Sequence, residues 1–197
     1  MKHIKVAITG GVGSGKSEVL KCISSLGYKT VNFDNVYSEL LEDEAFVLKI
    51  SKEMQVSPLY INGKTCLDRE NLSKKVFSDP NLLRKLNFLT HKCIFDSAFS
   101  KYTQGLVFYE VPVLFEGGYQ TQFDYVFVVV RDLNSRINAL KVRDNSTEEQ
   151  INRKIRNQID YENIDLTSHI VIENNSTFED LKKCILAAID AIEKSCN

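Results

Sequence analysis

Residues 7–20 read AITGGVGSGKSEVL, crowding glycines and a glycine-lysine-serine into the place where a hydrophobic strand would ordinarily run straight into a helix. Gly10–Ser17 satisfy the pattern G-x-x-x-x-G-K-[ST], with a predicted strand before it and a predicted helix after it, the context that pattern requires. Glycines let successive backbone N–H groups turn into one concavity, and the helix that follows adds the positive end of its dipole. Together they form a cradle for phosphate oxygens. In such a cradle Lys16 is a mobile charge for the β and γ phosphates, and the Ser17 hydroxyl is a ligand for the Mg2+ that bridges them. A chance glycine-rich turn shares the composition but not both flanks.

Outward from this loop, strand and helix signals alternate, which predicts an α/β fold with a mainly parallel sheet. Five short runs read as strands: residues 4–9, 29–33, 106–111, 125–130 and 169–173. The four strongest are apolar without strict alternation, as strands covered on both faces are. Ligands bind at the carboxyl ends of such strands, so functional side chains are expected there. Gly27 suits a helix C-terminus, Asp79-Pro80 a helix start, and Ser146 with Glu149 and Ser176 with Glu179 fit capping boxes. The last helix sets Leu181, Cys184, Ile185, Ala188, Ile189 and Ile192 on one face, which reads as core.

Three organisational features matter for chemistry. Residues 35–100 are too long for a simple crossover and read as a mostly helical inserted lobe, broken by an Asn62-Gly63 turn, with Asp68 placed to cap the next helix. Asp34 ends the second strand, where a carboxylate can take a proton from an attacking hydroxyl; an aspartate before a helix reads equally well as a plain N-cap. Residues 134–155 lie within a basic helical pair whose best lid arginines are Arg143 and Arg136, with Lys141 and Arg156 behind them, although such a pair is also what a solvated face looks like. The remaining segments, 1–34, 101–133 and 156–197, form the nucleotide-binding core.

Composition narrows the field. With 25 Lys and Arg against 26 Asp and Glu, no global field points to nucleic acid or a membrane as partner, and any anion must be caught locally. No run has the length of a membrane span, and the expected location is cytoplasmic. Five widely spaced cysteines without a C-x-x-C read as reduced thiols, not as a disulfide framework or a zinc site. Small-molecule substrates and a monomer or weak homo-oligomer are expected.

Taken together, TGGVGSGKS, FDNV, LDRENLSKKVFSDP, LNFLTH, VPVLFEGG and IENN, in this order, resemble the dephospho-coenzyme A kinase family over nearly the whole chain. The resemblance implies a three-layer P-loop NTPase fold with a central five-stranded sheet, a helical acceptor lobe and a short lid. It implies ATP and Mg2+ as cofactors and phosphorylation of the ribose 3′-hydroxyl of dephospho-coenzyme A. Carried over, Gly11, Val12, Gly13, Ser14, Gly15, Lys16 and Ser17 hold the nucleotide, and Asn174 or Asn175 lies beside adenine. Asp34, Lys16 and Arg143 are catalytic, with Ser17 toward the metal. Asp34, Arg69, His91 and Glu116 face the acceptor; His91 reads equally as a histidine bonded inside the lobe. Three departures stand out: Asn32 replaces an acid, Lys92 a proline, and Ala139 a lid arginine that Arg136, one turn earlier, is placed to replace. The rival readings are a kinase for a nucleoside or nucleoside monophosphate, and a nucleotide-binding switch; the missing N-K-x-D signature argues against a GTPase.

Overall fold

The computed structural model describes residues 2–159, 161 and 164–196. In chain order these form β1 (His3–Thr9), α1 (Lys16–Ser25), β2 (Lys29–Asn32), α2 (Phe33–Glu42), α3 (Glu44–Met54), β3 (Leu59–Ile61), β4 (Lys64–Cys66) and α4 (Arg69–Phe77). There follow α5 (Pro80–Ser100), β5 (Gly105–Glu110), β6 (Tyr125–Val130), α6 (Leu133–Asp144), α7 (Glu148–Arg156), β7 (Ile170–Glu173) and α8 (Phe178–Ser195). All five strands expected for the main sheet are present. Two compact units result: one takes the chain up to Val31 and again from Gln104, the other takes Asn32–Thr103.

The first unit is built on a sheet of order β2-β5-β1-β6-β7. Strand β1 runs parallel to β5 and β6, and β6 parallel to β7, so the strand that leads into the glycine loop is central. That position explains its composition: Val6, Ala7 and Ile8 are all fully buried, with no room for alternating polar residues. On one face Val6, Ile8, Phe108, Phe127, Val129 and Ile172 pack with Val19, Cys22 and Ile23 of α1 and with Leu181, Ile185, Ile189 and Ile192 of α8. Each such side chain contributes roughly 1.5–3 kcal/mol by leaving water. Gly27 closes α1 at φ +90, where the Gly27 and Tyr28 N–H groups donate to the Ser24 and Ile23 carbonyls.

The second unit is helical around one small hairpin. Phe46, Val47, Ile50 and Met54 of α3 meet Val56, Leu67, Leu72 and Val76, and Phe95 packs edge-on to Phe33 and Phe99. Strands β3 and β4 are joined by Asn62 (φ 50) and Gly63 (φ 77), the left-handed pair that a two-residue hairpin demands. Asp79 caps α5 ahead of Pro80, and Asp68 caps α4 through the Asn71 N–H at 3.0 Å.

Two caps fall one residue later than the sequence pattern indicated. Thr147, with Gln150, forms the capping box of α7, and Thr177 caps α8 through Asp180, in place of Ser146 and Ser176. Both sites read Ser-Thr, and where the chain turns into the helix decides which hydroxyl serves. All five cysteines are free, and among the described residues no helix is long and apolar enough to cross a membrane.

Candidate active site

The glycine loop leaves the carboxyl end of β1 and enters α1 through Gly15, which is left-handed at φ 97 and caps the helix with no side-chain acceptor. The first-turn N–H groups of α1 therefore have no side chain closing them off, as an anion site requires. Gly10 (φ 147) and Gly13 (φ 80) take the other conformations that side chains resist. Inside the loop the Ser14 hydroxyl is 1 % exposed and has no hydrogen-bond partner among the described residues. Buried hydroxyls are nearly always satisfied, so this one has capacity left for an ordered water or a ligand. Lys16 Nζ curls back to donate to the carbonyls of Gly10 (2.8 Å) and Gly11 (3.1 Å), a position from which a flexible ammonium can swing to an incoming phosphate.

The ends of the neighbouring strands complete this region. Ser17 Oγ donates to Glu110 Oε1 at 2.8 Å; Glu110 is the last residue of β5 and is only 3 % exposed. A hydroxyl and a carboxylate side by side form the hard-oxygen pair that suits Mg2+, an ion that otherwise relies on water and substrate phosphates. Glu110 was not anticipated from sequence, although its signal was present: one acid closing the apolar run LVFYE. From β7, Asn174 Nδ2 donates to the Ser14 carbonyl at 3.0 Å and to Glu18 at 3.2 Å, and a Cβ on Gly15 would overlap this amide. Asn175 Oδ1 accepts from the Asp132 N–H at 2.8 Å. The two asparagines thus brace the loop and the start of α6 through their side chains.

Of the two arginines expected in the helical pair α6–α7, Arg136 and not Arg143 lies on the loop. Arg143 pairs with Asp144 at 2.7 Å and leaves 64 % of its side chain exposed, while Lys154 holds the same carboxylate at 2.7 Å. Hydrogen bonds from these two cations keep Asp144 well below the usual carboxylate range, and Asp144 in turn raises the Arg143 guanidinium. Arg136 is buried instead, with Nε donating to the Val12 carbonyl at 2.9 Å. The Val12 N–H is also taken, by Gln158 Oε1 at 2.6 Å, a contact with no precursor in the sequence pattern. Tyr161 returns to the loop's start, its hydroxyl 3.2 Å from Thr9 Oγ1, and burial raises its phenol. Glu116 is exposed on the loop after β5, and its charge pushes Tyr161 the same way.

In the second unit, Asp34 occupies the first turn of α2, exposed, with its carbonyl accepting from Ser38 Oγ at 2.9 Å. It is not the helix cap. That task falls to Asn32, whose Oδ1 accepts from the Asn35 N–H at 3.1 Å, so the bland reading of Asp34 lapses. Arg69 is the exposed first residue of α4, and His91 is half-buried on α5, where burial lowers its pKa and keeps the ring neutral near pH 7.

Comparison with known proteins now gives this arrangement relatives. Residues 4–180 match the family described as dephospho-CoA kinase. The chain is 31 % identical to the dephospho-CoA kinase of Fusobacterium nucleatum subsp. nucleatum, with 93 % of this chain and 95 % of that one covered. It is 30 % identical to that of Corynebacterium glutamicum, covering 91 % and 94 % respectively. The solved dephospho-CoA kinase from Campylobacter jejuni superposes with a TM-score of 0.65 at 22 % identity, covering 99 % of this chain and 100 % of that one, and shares the fold.

Proposed function

The chain belongs to the dephospho-CoA kinase family, and from that premise we propose how its residues divide the work of moving a phosphoryl group from ATP to the ribose 3′-hydroxyl of dephospho-CoA, the reaction that completes coenzyme A. The observation that carries the assignment is the uncapped start of α1 with the buried, partnerless Ser14 hydroxyl inside its loop.

The donor is held on the loop Gly11–Ser17 by its backbone N–H groups other than those of Val12 and Ser14, which donate to Gln158 and to the Gly11 carbonyl, with Lys16 on the β and γ phosphates. Ser17 and Glu110 would hold Mg2+, which would supply positive charge against the donor's phosphates. Asn174 and Asn175 carry the backbone that borders adenine. Asp34 accepts the proton of the 3′-hydroxyl as that oxygen bonds to the γ phosphorus and the bond to the β–γ bridging oxygen breaks, so ADP leaves and the proton rests on Asp34. Arg69, His91 and Glu116 orient the acceptor, and Arg143 joins the transferring group as the α6–α7 pair closes as a lid. Exposed Asp34 and the Asp144-paired Arg143 both suit groups that engage only when substrates arrive. The enzyme works in the cytoplasm as a monomer or weak homo-oligomer.

A coupled assay for ADP release, run with dephospho-CoA, with nucleosides and nucleoside monophosphates, and with no acceptor, tests the assignment. Turnover is expected with dephospho-CoA. Turnover without acceptor, or only with nucleosides or their monophosphates, overturns it.

A further inference from the structure

We propose that Gln158 is a positioning residue for the phosphoryl donor, its side-chain amide holding the Val12 N–H and so setting the glycine loop, and with it Lys16, before the nucleotide arrives; this rests on the kinase reading above and extends it. A loop of glycines is adaptable, and ordering it is correspondingly unfavourable. Gly10, Gly11 and Gly13 surround Val12, two of them at positive φ, and glycine gives up more freedom on ordering than any other residue. Residues 10–15 lie between β1 and α1, outside both ladders, so side chains must hold them. The loop's polar groups show which ones do. The Gly10 and Gly11 carbonyls accept from Lys16 Nζ, the Ser14 carbonyl from Asn174 Nδ2 at 3.0 Å, and the Val12 carbonyl from Arg136 Nε at 2.9 Å. The Val12 N–H donates to Gln158 Oε1 at 2.6 Å, the shortest of these bonds.

One peptide group carries the argument. Its carbonyl, that of Gly11, takes the Lys16 ammonium at 3.1 Å, and its N–H, that of Val12, is taken by Gln158, so the two side chains grip one peptide from opposite ends. Releasing the Gln158 end loosens the seat of Lys16. The local geometry also offers a covalent substitute for this grip. The Ser14 N–H donates to the Gly11 carbonyl at 3.1 Å, Gly13 has φ 80, and Val12 is not among the positive-φ residues, which together make a type II turn with Val12 at its second position. Proline is favoured there, because its ring fixes φ near the required value of about −60° and its nitrogen has no hydrogen to give. Val12→Pro therefore sets the turn by a ring where Gln158 sets it by a hydrogen bond.

The test is a double-mutant cycle on the unaltered protein, Gln158→Met, Val12→Pro and the two together. It reads affinity for a non-hydrolysable ATP analogue by titration calorimetry, kcat and the KM for ATP with dephospho-CoA, thermal melts, and hydrogen exchange of the Val12 N–H. Gln158→Met keeps the length and drops the amide. It is expected to speed exchange at Val12 and to weaken the analogue about 2- to 10-fold, the scale of one hydrogen bond, with a matching fall in kcat/KM and an unmoved melting temperature. Added to Val12→Pro, the same change should weaken the analogue less than about 2-fold, because the bond it breaks is already gone. An equal loss in both backgrounds overturns the proposal, since it would mean that Gln158 meets the nucleotide itself. So does unaltered affinity in Gln158→Met, unaltered exchange at Val12, or a lowered melting temperature that accounts for the loss. Should Gln158→Met fail to fold, Gln158→Asn, too short to reach Val12, takes its place in the cycle. A failed cycle with dephospho-CoA turnover intact sinks this inference alone. The expected cycle in calorimetry without dephospho-CoA turnover sinks the acceptor assignment alone.

Discussion

The start of α1 and the starts of the other seven α-helices among the described residues are built on opposite rules. In α2 through α8 a side chain of Asn32, Asp43, Asp68, Asp79, Asp132, Thr147 or Thr177 accepts from an N–H of the first turn. Only α1 begins without one, at a left-handed Gly15 pressed against Asn174. A cap stabilises a helix by about 1 kcal/mol. Leaving α1 open forgoes that stabilisation and keeps its N–H groups and dipole for a ligand. The difference locates function by what is withheld from folding, and each prediction below attacks or refines it.

The largest effect is expected from Lys16→Ala, which removes the mobile cation from the open end while leaving every capped end intact. ATP affinity and turnover should fall together, turnover by about 10²–10³-fold, as when one charge-stabilising donor is lost from a reacting centre. Thermal stability should change little, because the bonds of Lys16 Nζ to the Gly10 and Gly11 carbonyls stay within its own loop. Normal ATP binding and turnover in this variant would show that the open end is not a phosphate site.

Asp34→Asn sharpens the contrast at a capped end. Since Asn32 closes α2, an Asp34 carboxylate in the first turn has no capping work, and its loss should cost at most the roughly 0.3–1 kcal/mol of a first-turn charge at the helix dipole. As a general base it should account for roughly 10²-fold or more in kcat, with the KM for ATP unchanged. Near-normal kcat would remove Asp34 from the chemistry.

How much of this was legible beforehand follows the same division. The five strands, the Asn62-Gly63 hairpin and the caps at Asp68 and Asp79 are local matters of periodicity and turn chemistry, and the sequence carries them. So does the open loop, whose glycines state their own purpose. Where two residues met one pattern, as Ser146 with Thr147 and Ser176 with Thr177, local chemistry did not choose between them. Contacts across long sequence separations were hardest to read. Glu110 meets Ser17 across 93 positions, Arg136 meets Val12 across 124, and Gln158 meets Val12 across 146, and no periodicity reports which strand end lies beside which loop. The resemblance to a family named Glu116 near VPVLFE, yet the buried acid at Ser17 is Glu110, six residues earlier on the strand itself.

The smallest expected effect concerns a capped end alone. Asp132 caps α6 through the Ser135 N–H at 2.9 Å, and that hydrogen bond holds its carboxyl below the usual carboxylate range. A depressed folded value means the ionised cap adds stability that is complete above the unfolded value of about 3.9 and is lost as pH falls through the lower folded value. Asparagine caps comparably but carries no proton to titrate. The stability difference between the unaltered protein and Asp132→Asn, read from denaturant midpoints, should therefore be constant from pH 7 down to about 5 and then shift toward the variant's favour below about 4. At pH 7 the two should turn over dephospho-CoA alike, since α6 keeps its cap and Asn175 still accepts from the backbone N–H of residue 132. A difference that stays flat down to pH 3 would show that charge adds nothing to this cap, and the contrast between closed and open helix ends would then rest on hydrogen bonding without the dipole.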